Sequence, residues 1–85
     1  MIKVIVSGAA GKMGKETVKA ISQAEGLKLV GAVDPKAAGM DAGDVAGIGS
    51  LKIAVTADLA KTIKATRADV VVDFTHPNVA AKNIQ

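Results

Sequence analysis

Three glycines spaced three apart, Gly8, Gly11 and Gly14, close a run of apolar residues, Ile2-Lys3-Val4-Ile5-Val6. A helical pattern starts at once behind them. A strand that turns on glycines into a helix presents backbone N–H groups at a positive helix end, where a diphosphate can sit. In such a turn Gly8 allows the tight bend, Gly11 lets phosphates approach the backbone, and Gly14 lets the helix pack against the strand. About twenty residues further on stands an acid, Asp34, at the end of a second apolar run. An acid there accepts hydrogen bonds from the hydroxyls of an adenosine ribose, which favours NADH over NADPH. Lys12 and Lys36 lie where a 2′-phosphate would go and could soften that preference.

A second cluster, Asp73-Phe74-Thr75-His76-Pro77, ends a later apolar run. Phe74 offers an apolar face and Thr75 a hydroxyl, on the same rim as the glycine turn. The residues alone leave two readings open: a cofactor wall, or a core Phe74 with Thr75 capping the next helix. His76 is the sole histidine and has no acids or thiols at metal-ligand spacing, so no metal site is expected. Asp41 and Asp44 read as loop solvation and turn capping. No set of nucleophile, base and orienting group is present, so no catalytic residue is expected in this chain.

The elements that must position these residues follow from periodicity. Strands are expected over 2–7, 28–33, 52–55 and 69–74, the third short and near an edge. Val4-Ile5-Val6 and Val70-Val71-Val72 are apolar on both faces, as in parallel strands covered by helices on both sides. A helix over 12–24 is expected to turn Met13, Thr17, Ala20, Ile21 and Ala24 inward and to stop at Gly26. A second helix runs to about residue 65 with Leu59, Ala60 and Ile63 inward. A third starts behind Pro77, with Val79, Ala80 and Ile84 on one side. The stretch 36–50, holding Gly39, Gly43, Gly47 and Gly49, reads either as a mobile loop beside the cleft or as a merely long connector, with one helical turn at most around Asp41 to Val45. The order predicts an α/β fold: a partial Rossmann fold with a parallel sheet in strand order 3-2-1-4, ending before the last strands.

Composition bounds the rest. Eighty-five residues, 49% hydrophobic and 22% charged, make one small globular domain over 1–85. With one Phe and no Trp or Tyr, the core must be Val, Ile, Leu and Ala. The net charge is +3, but the lysines are scattered and there are no aromatic platforms for stacking bases, which argues against nucleic acid. The absence of cysteine fits a reducing cytoplasm, and no apolar run approaches membrane-spanning length.

Together these stretches resemble a family. Met1-Ile2-Lys3-Val4-Ile5-Val6-Ser7-Gly8-Ala9-Ala10-Gly11-Lys12-Met13-Gly14 resembles the opening of 4-hydroxy-tetrahydrodipicolinate reductase, the dihydrodipicolinate reductase of lysine and diaminopimelate synthesis. Gly31-Ala32-Val33-Asp34, Gly39-Met40-Asp41-Ala42-Gly43-Asp44-Val45-Ala46-Gly47 and Val71-Val72-Asp73-Phe74-Thr75-His76-Pro77 agree with it in order. The resemblance implies an N-terminal Rossmann domain that binds NADH or NADPH. It also implies a C-terminal domain that binds a cyclic dicarboxylate and builds a homotetramer. By the same resemblance, Gly8, Ala9, Ala10, Gly11, Lys12, Met13 and Gly14 form the diphosphate loop, Asp34 takes the ribose, and Phe74 and Thr75 line the cleft. Pro35 stands where some relatives carry an arginine. The substrate-binding segments of the family have no counterpart in this chain, so the chain is expected to bind cofactor without catalysing. Two alternatives stand beside this: a stand-alone nucleotide-binding or structural module, and another Rossmann reductase such as a homoserine or sugar dehydrogenase, which the stretch from Asp73 to Pro77 argues against. Without a following strand, Val70-Val71-Val72-Asp73-Phe74 is expected to be an exposed edge that pairs with another copy.

Overall fold

The computed structural model describes residues 1–74. Among the described residues four strands and three α-helices alternate: β1 (Ile2–Ser7), α1 (Lys12–Gln23), β2 (Leu27–Val33), a 3-10 turn (Pro35–Ala37), α2 (Ala42–Ala46), β3 (Val55–Thr56), α3 (Leu59–Thr66) and β4 (Val70–Asp73). The sheet is wholly parallel, in the order β3-β2-β1-β4. This is the expected order, with β3 short and at an edge. The third helix expected behind Pro77 lies outside the described residues.

The central strand β1 is apolar on both faces because both are covered. Val4 and Val6 point to one side and join Val18 and Ile21 of α1 with Leu29 and Ala32 of β2 in the main core. Ile5, between them, points to the other side, as side-chain alternation requires. There it lies against Gly31 of β2, over which Thr62 of α3 also packs. The β1–β2 register slips at Val4/Ile5, so that Val4 pairs with Leu29 and Ile5 with Gly31. Val30 is the extra residue of that bulge.

Two helix faces differ from the expected ones. In α1 the buried residues are Gly14, Val18 and Ile21, while Met13 is 59% exposed and Ala20 is also exposed. The cause is Gly14, which has to lie against the backbone of the glycine turn. That contact sets the rotation of the helix, brings Val18 and Ile21 to the core, and swings Met13 outward. In α3 the buried residue is Thr62, while Leu59 is half-buried and Ala60 and Ile63 are exposed. The Thr62 hydroxyl is satisfied internally: it donates to the Asp58 carbonyl at 2.7 Å and pairs with the Thr56 hydroxyl at 2.6 Å. A hydroxyl so paired can be buried at little cost.

The stretch expected to be a mobile loop or a long connector is instead built around one carboxylate. Asp41 Oδ1 accepts from the backbone N–H groups of Gly43, Asp44 and Leu51, at 2.8, 3.2 and 2.9 Å. Its Oδ2 accepts from Ile53 N–H at 3.1 Å and from the Ser50 hydroxyl at 3.2 Å. One acid thus caps α2 and ties it to the chain leading into β3. Donation by Leu51 N–H and the other backbone N–H groups outweighs desolvation and lowers the Asp41 pKa from 3.8 to about 2.

Candidate functional site

The glycine turn leaves β1 at Ser7 and enters α1 at Lys12. Gly8 adopts φ +80, a left-handed conformation that carries little penalty only without a Cβ. Its N–H and that of Ala9 both donate to the Val33 carbonyl, at 2.7 and 3.2 Å, so the turn is fastened to the end of β2. Gly11 N–H closes the turn onto the Gly8 carbonyl at 3.1 Å. At Gly14 the helix presses onto this turn. A Cβ there would overlap the Gly8 carbonyl oxygen and stand 2.8 Å from the Ala9 Cα. No side chain caps the N-terminus of α1, and its first turn carries no acid.

Asp34 follows β2 directly and is 8% exposed. Its carboxylate bridges two segments. Oδ2 accepts from Ala10 N–H in the glycine turn at 2.9 Å, and Oδ1 accepts from Lys36 N–H at 3.0 Å. A carboxylate oxygen has two lone pairs. Each oxygen of Asp34 therefore keeps one acceptor position for a hydroxyl.

Phe74 continues β4 past its last ladder residue, its N–H donating to the Ser7 carbonyl at 2.9 Å. Its half-buried ring packs against the main core, as one of the two readings of the sequence expected. A cleft of about 370 Å³ opens at the C-terminal ends of the strands, lined by Gly8, Ala10, Gly11, Asp34, Pro35, Lys36 and Phe74. The fold thus gathers in one cavity the turn, the acid, one of the two lysines and the aromatic residue. Lys12 and Met13 are exposed on the first turn of α1, whereas Ala9 and Gly14 are buried. None of these four lines the cleft. Thr75 lies outside the described residues. Pro35, read from sequence only as a departure from relatives, forms part of the wall. The Val33 carbonyl that anchors the turn carries no sequence signal, because any residue supplies it.

A larger groove of about 560 Å³ lies elsewhere, between α3 and the β2–β3 edge, and includes Gly31, Ile53, Thr56 and Thr62. It gathers none of the residues singled out for chemistry. Among the described residues no group of acids, histidines or cysteines could hold a metal ion.

A parallel β3-β2-β1-β4 sheet with a glycine turn at the start of α1 and an acid after β2 defines a Rossmann-type dinucleotide-binding fold. Residues 2–85 match the family described as "Dihydrodipicolinate reductase, N-terminus", and the chain belongs to that family. A 4-hydroxy-tetrahydrodipicolinate reductase of Cyanothece sp. is 51% identical over 90 aligned residues, covering 99% of this chain and 33% of the relative. The solved structure of a dipicolinate-bound dihydrodipicolinate reductase from Paenisporosarcina sp. superposes with a TM-score of 0.69 at 30% identity, over 98% of this chain and 32% of that one. An amine dehydrogenase from Mycobacterium smegmatis superposes with a TM-score of 0.70, also at 30% identity, over 82% of this chain and 21% of that one. The chain spans about a third of the length of the curated relatives it matches.

Proposed function

We propose that this chain holds a nicotinamide dinucleotide in the cleft between the glycine turn and Asp34. We further propose that it does so as the cofactor-binding part of a 4-hydroxy-tetrahydrodipicolinate reductase. The observation that carries this reading is the single cavity shared by Gly8, Ala10, Gly11, Asp34, Lys36 and Phe74. The fit is chemical as well as geometric. Gly14 lets α1 come close enough to aim its uncapped N-terminal N–H groups, those of Lys12 and Met13 among them, at a diphosphate. Asp34 has two acceptor positions left, matching the two hydroxyls of an adenosine ribose. A 2′-phosphate brings charge of the same sign and no donor, which favours NADH. The Lys36 side chain at the rim moderates that preference. Phe74, with Thr75 beyond it, serves as the apolar wall on the nicotinamide side.

The dinucleotide, when bound, supplies the hydride. This chain's residues bind it and orient it. In the whole protein the acceptor is a cyclic dicarboxylate of lysine and diaminopimelate synthesis, bound by a further domain that also builds a homotetramer, in the cytoplasm. The names of the relatives support the reductase activity and its substrate class alone; the further domain, the tetramer and the cytoplasmic location rest on the family resemblance.

Titration of the 85-residue chain with NADH and with NADPH tests the reading. The protein has no Trp or Tyr, so nicotinamide fluorescence is read without interference. Backbone amide shifts at Gly8 to Gly14 and at Asp34, with NADH the tighter ligand, are the expected result. Tighter binding of NADPH would hand the selection to Lys12 or Lys36. Binding of neither would leave a structural module in place of a cofactor site.

A further inference from the structure

We infer that Asp34 is a positioning residue for the glycine turn, and that its carboxylate holds the turn in the shape that receives a diphosphate. The inference follows from accounting for the turn's four N–H groups. Those of Gly8 and Ala9 go to the Val33 carbonyl, and that of Gly11 goes to the Gly8 carbonyl. Ala10 N–H is the one that goes to a side chain, the Asp34 Oδ2 at 2.9 Å. The start of the turn is therefore fixed by backbone, whatever the side chains, while its middle is fixed by this acid. The acid is itself held from the other side by Lys36 N–H at 3.0 Å, and it is 8% exposed. Hydrogen bonds to an ionised acceptor are about twice as strong as neutral ones. Loss of the carboxylate leaves the N–H groups of both Ala10 and Lys36 without their acceptor.

The consequence, which rests on the cofactor reading above, is that Asp34 governs both ends of the adenosine diphosphate moiety. It takes the ribose directly, and it presents the phosphate-binding turn through Ala10. A residue that served the ribose alone would not affect a ligand that has no ribose.

The experiment compares the wild-type chain with Asp34→Ala and Asp34→Asn by amide hydrogen exchange and by affinity for inorganic pyrophosphate and for adenosine. In Asp34→Ala the exchange of the Ala10 and Lys36 amides is expected to rise about tenfold, with the amides of Ile5 and Val18 unchanged. Pyrophosphate affinity is expected to fall about tenfold alongside that for adenosine. Asp34→Asn keeps one oxygen acceptor and should fall between, and it supplies the measurement if the alanine variant fails to fold. Lost adenosine affinity with unchanged pyrophosphate affinity and unchanged Ala10 exchange would overturn the inference. If the wild type binds neither NADH nor pyrophosphate, the cofactor reading fails separately. The Ala10 and Lys36 exchange then decides whether Asp34 holds the turn.

Discussion

Gly14 sets how closely α1 can lie on the turn that precedes it. The atoms a Cβ would meet there, the Gly8 carbonyl and the Ala9 Cα, are backbone and cannot rotate away. Gly14→Ala should therefore cost about 3 kcal/mol, the upper end for overpacking, and should abolish NADH binding. A urea unfolding series read beside the cofactor titration checks both. Asp41 makes a different residue-scale prediction. Its pKa is lowered from 3.8 to about 2 by the backbone N–H groups it accepts. A carboxyl whose folded pKa is depressed contributes stability above its unfolded value and loses it as the pH falls toward the folded value. The chain should thus lose stability between about pH 4 and pH 2, and Asp41→Asn, which carries no such charge, should be less stable at pH 6 and show a shallower acid slope. Equal slopes for the two proteins would remove Asp41 from the account. Asp41 also shows where sequence reading stops. Its capping role is visible from its place before a short helix. Its bonds to Leu51 and Ile53 cross a glycine-rich stretch, and nothing local announces a partner ten or twelve residues away.

At the scale of elements, strands were legible because Val4-Ile5-Val6 and Val70-Val71-Val72 are runs of β-branched residues with no helical alternative. Helix positions were legible too, but helix rotation was not. Which face turns inward was decided by glycine contacts rather than by apolar periodicity: Gly14 against the turn, and Gly31 against Thr62. Gly31 stands where α3 crosses β2. A Cβ there would lie 2.8 Å from the Thr62 Cγ2 and 3.2 Å from the Ile5 Cγ1. Gly31→Ala should cost about 1–2 kcal/mol through overpacking. Thr62→Ser keeps the hydroxyl bonds and removes the offending methyl group, so the double variant should recover part of that loss. Additive costs in thermal unfolding would show that Thr62 is not the neighbour that counts.

At the scale of the whole molecule, the two edges of the sheet among the described residues differ. β3 ends it with a two-residue strand, a short edge of the kind that resists pairing. β4 is a longer edge, and Val70 is 45% exposed and Val71 36%. Among the described residues its ladder partner is β1 alone. We predict that the 85-residue chain self-associates through this strand as concentration rises, and that Val71→Lys suppresses the association while leaving cofactor binding intact. Sedimentation showing a monomer throughout would count against it. The cleft was foreseeable at this scale as well, since strand order alone places a crevice at the C-terminal ends of β1 and β4, where the order reverses. The amine dehydrogenase that shares the fold shows why order alone does not name a reaction.

β1 pairs with β2 on one side and with β4 on the other, so its two neighbours lie about twenty-five and sixty-six residues away along the chain. During synthesis the first strand leaves the ribosome long before the last of these. Until residues 70–73 emerge, Val4, Ile5 and Val6 can be half paired at best, with one edge open to other nascent chains. Contacts this distant also slow folding, because the loop entropy is lost before the pairing is gained. The arrangement that places the glycine turn at the centre of the sheet thus leaves β1 dependent on a strand made about sixty-six residues later, and makes the interval between them a period of exposure to misassembly.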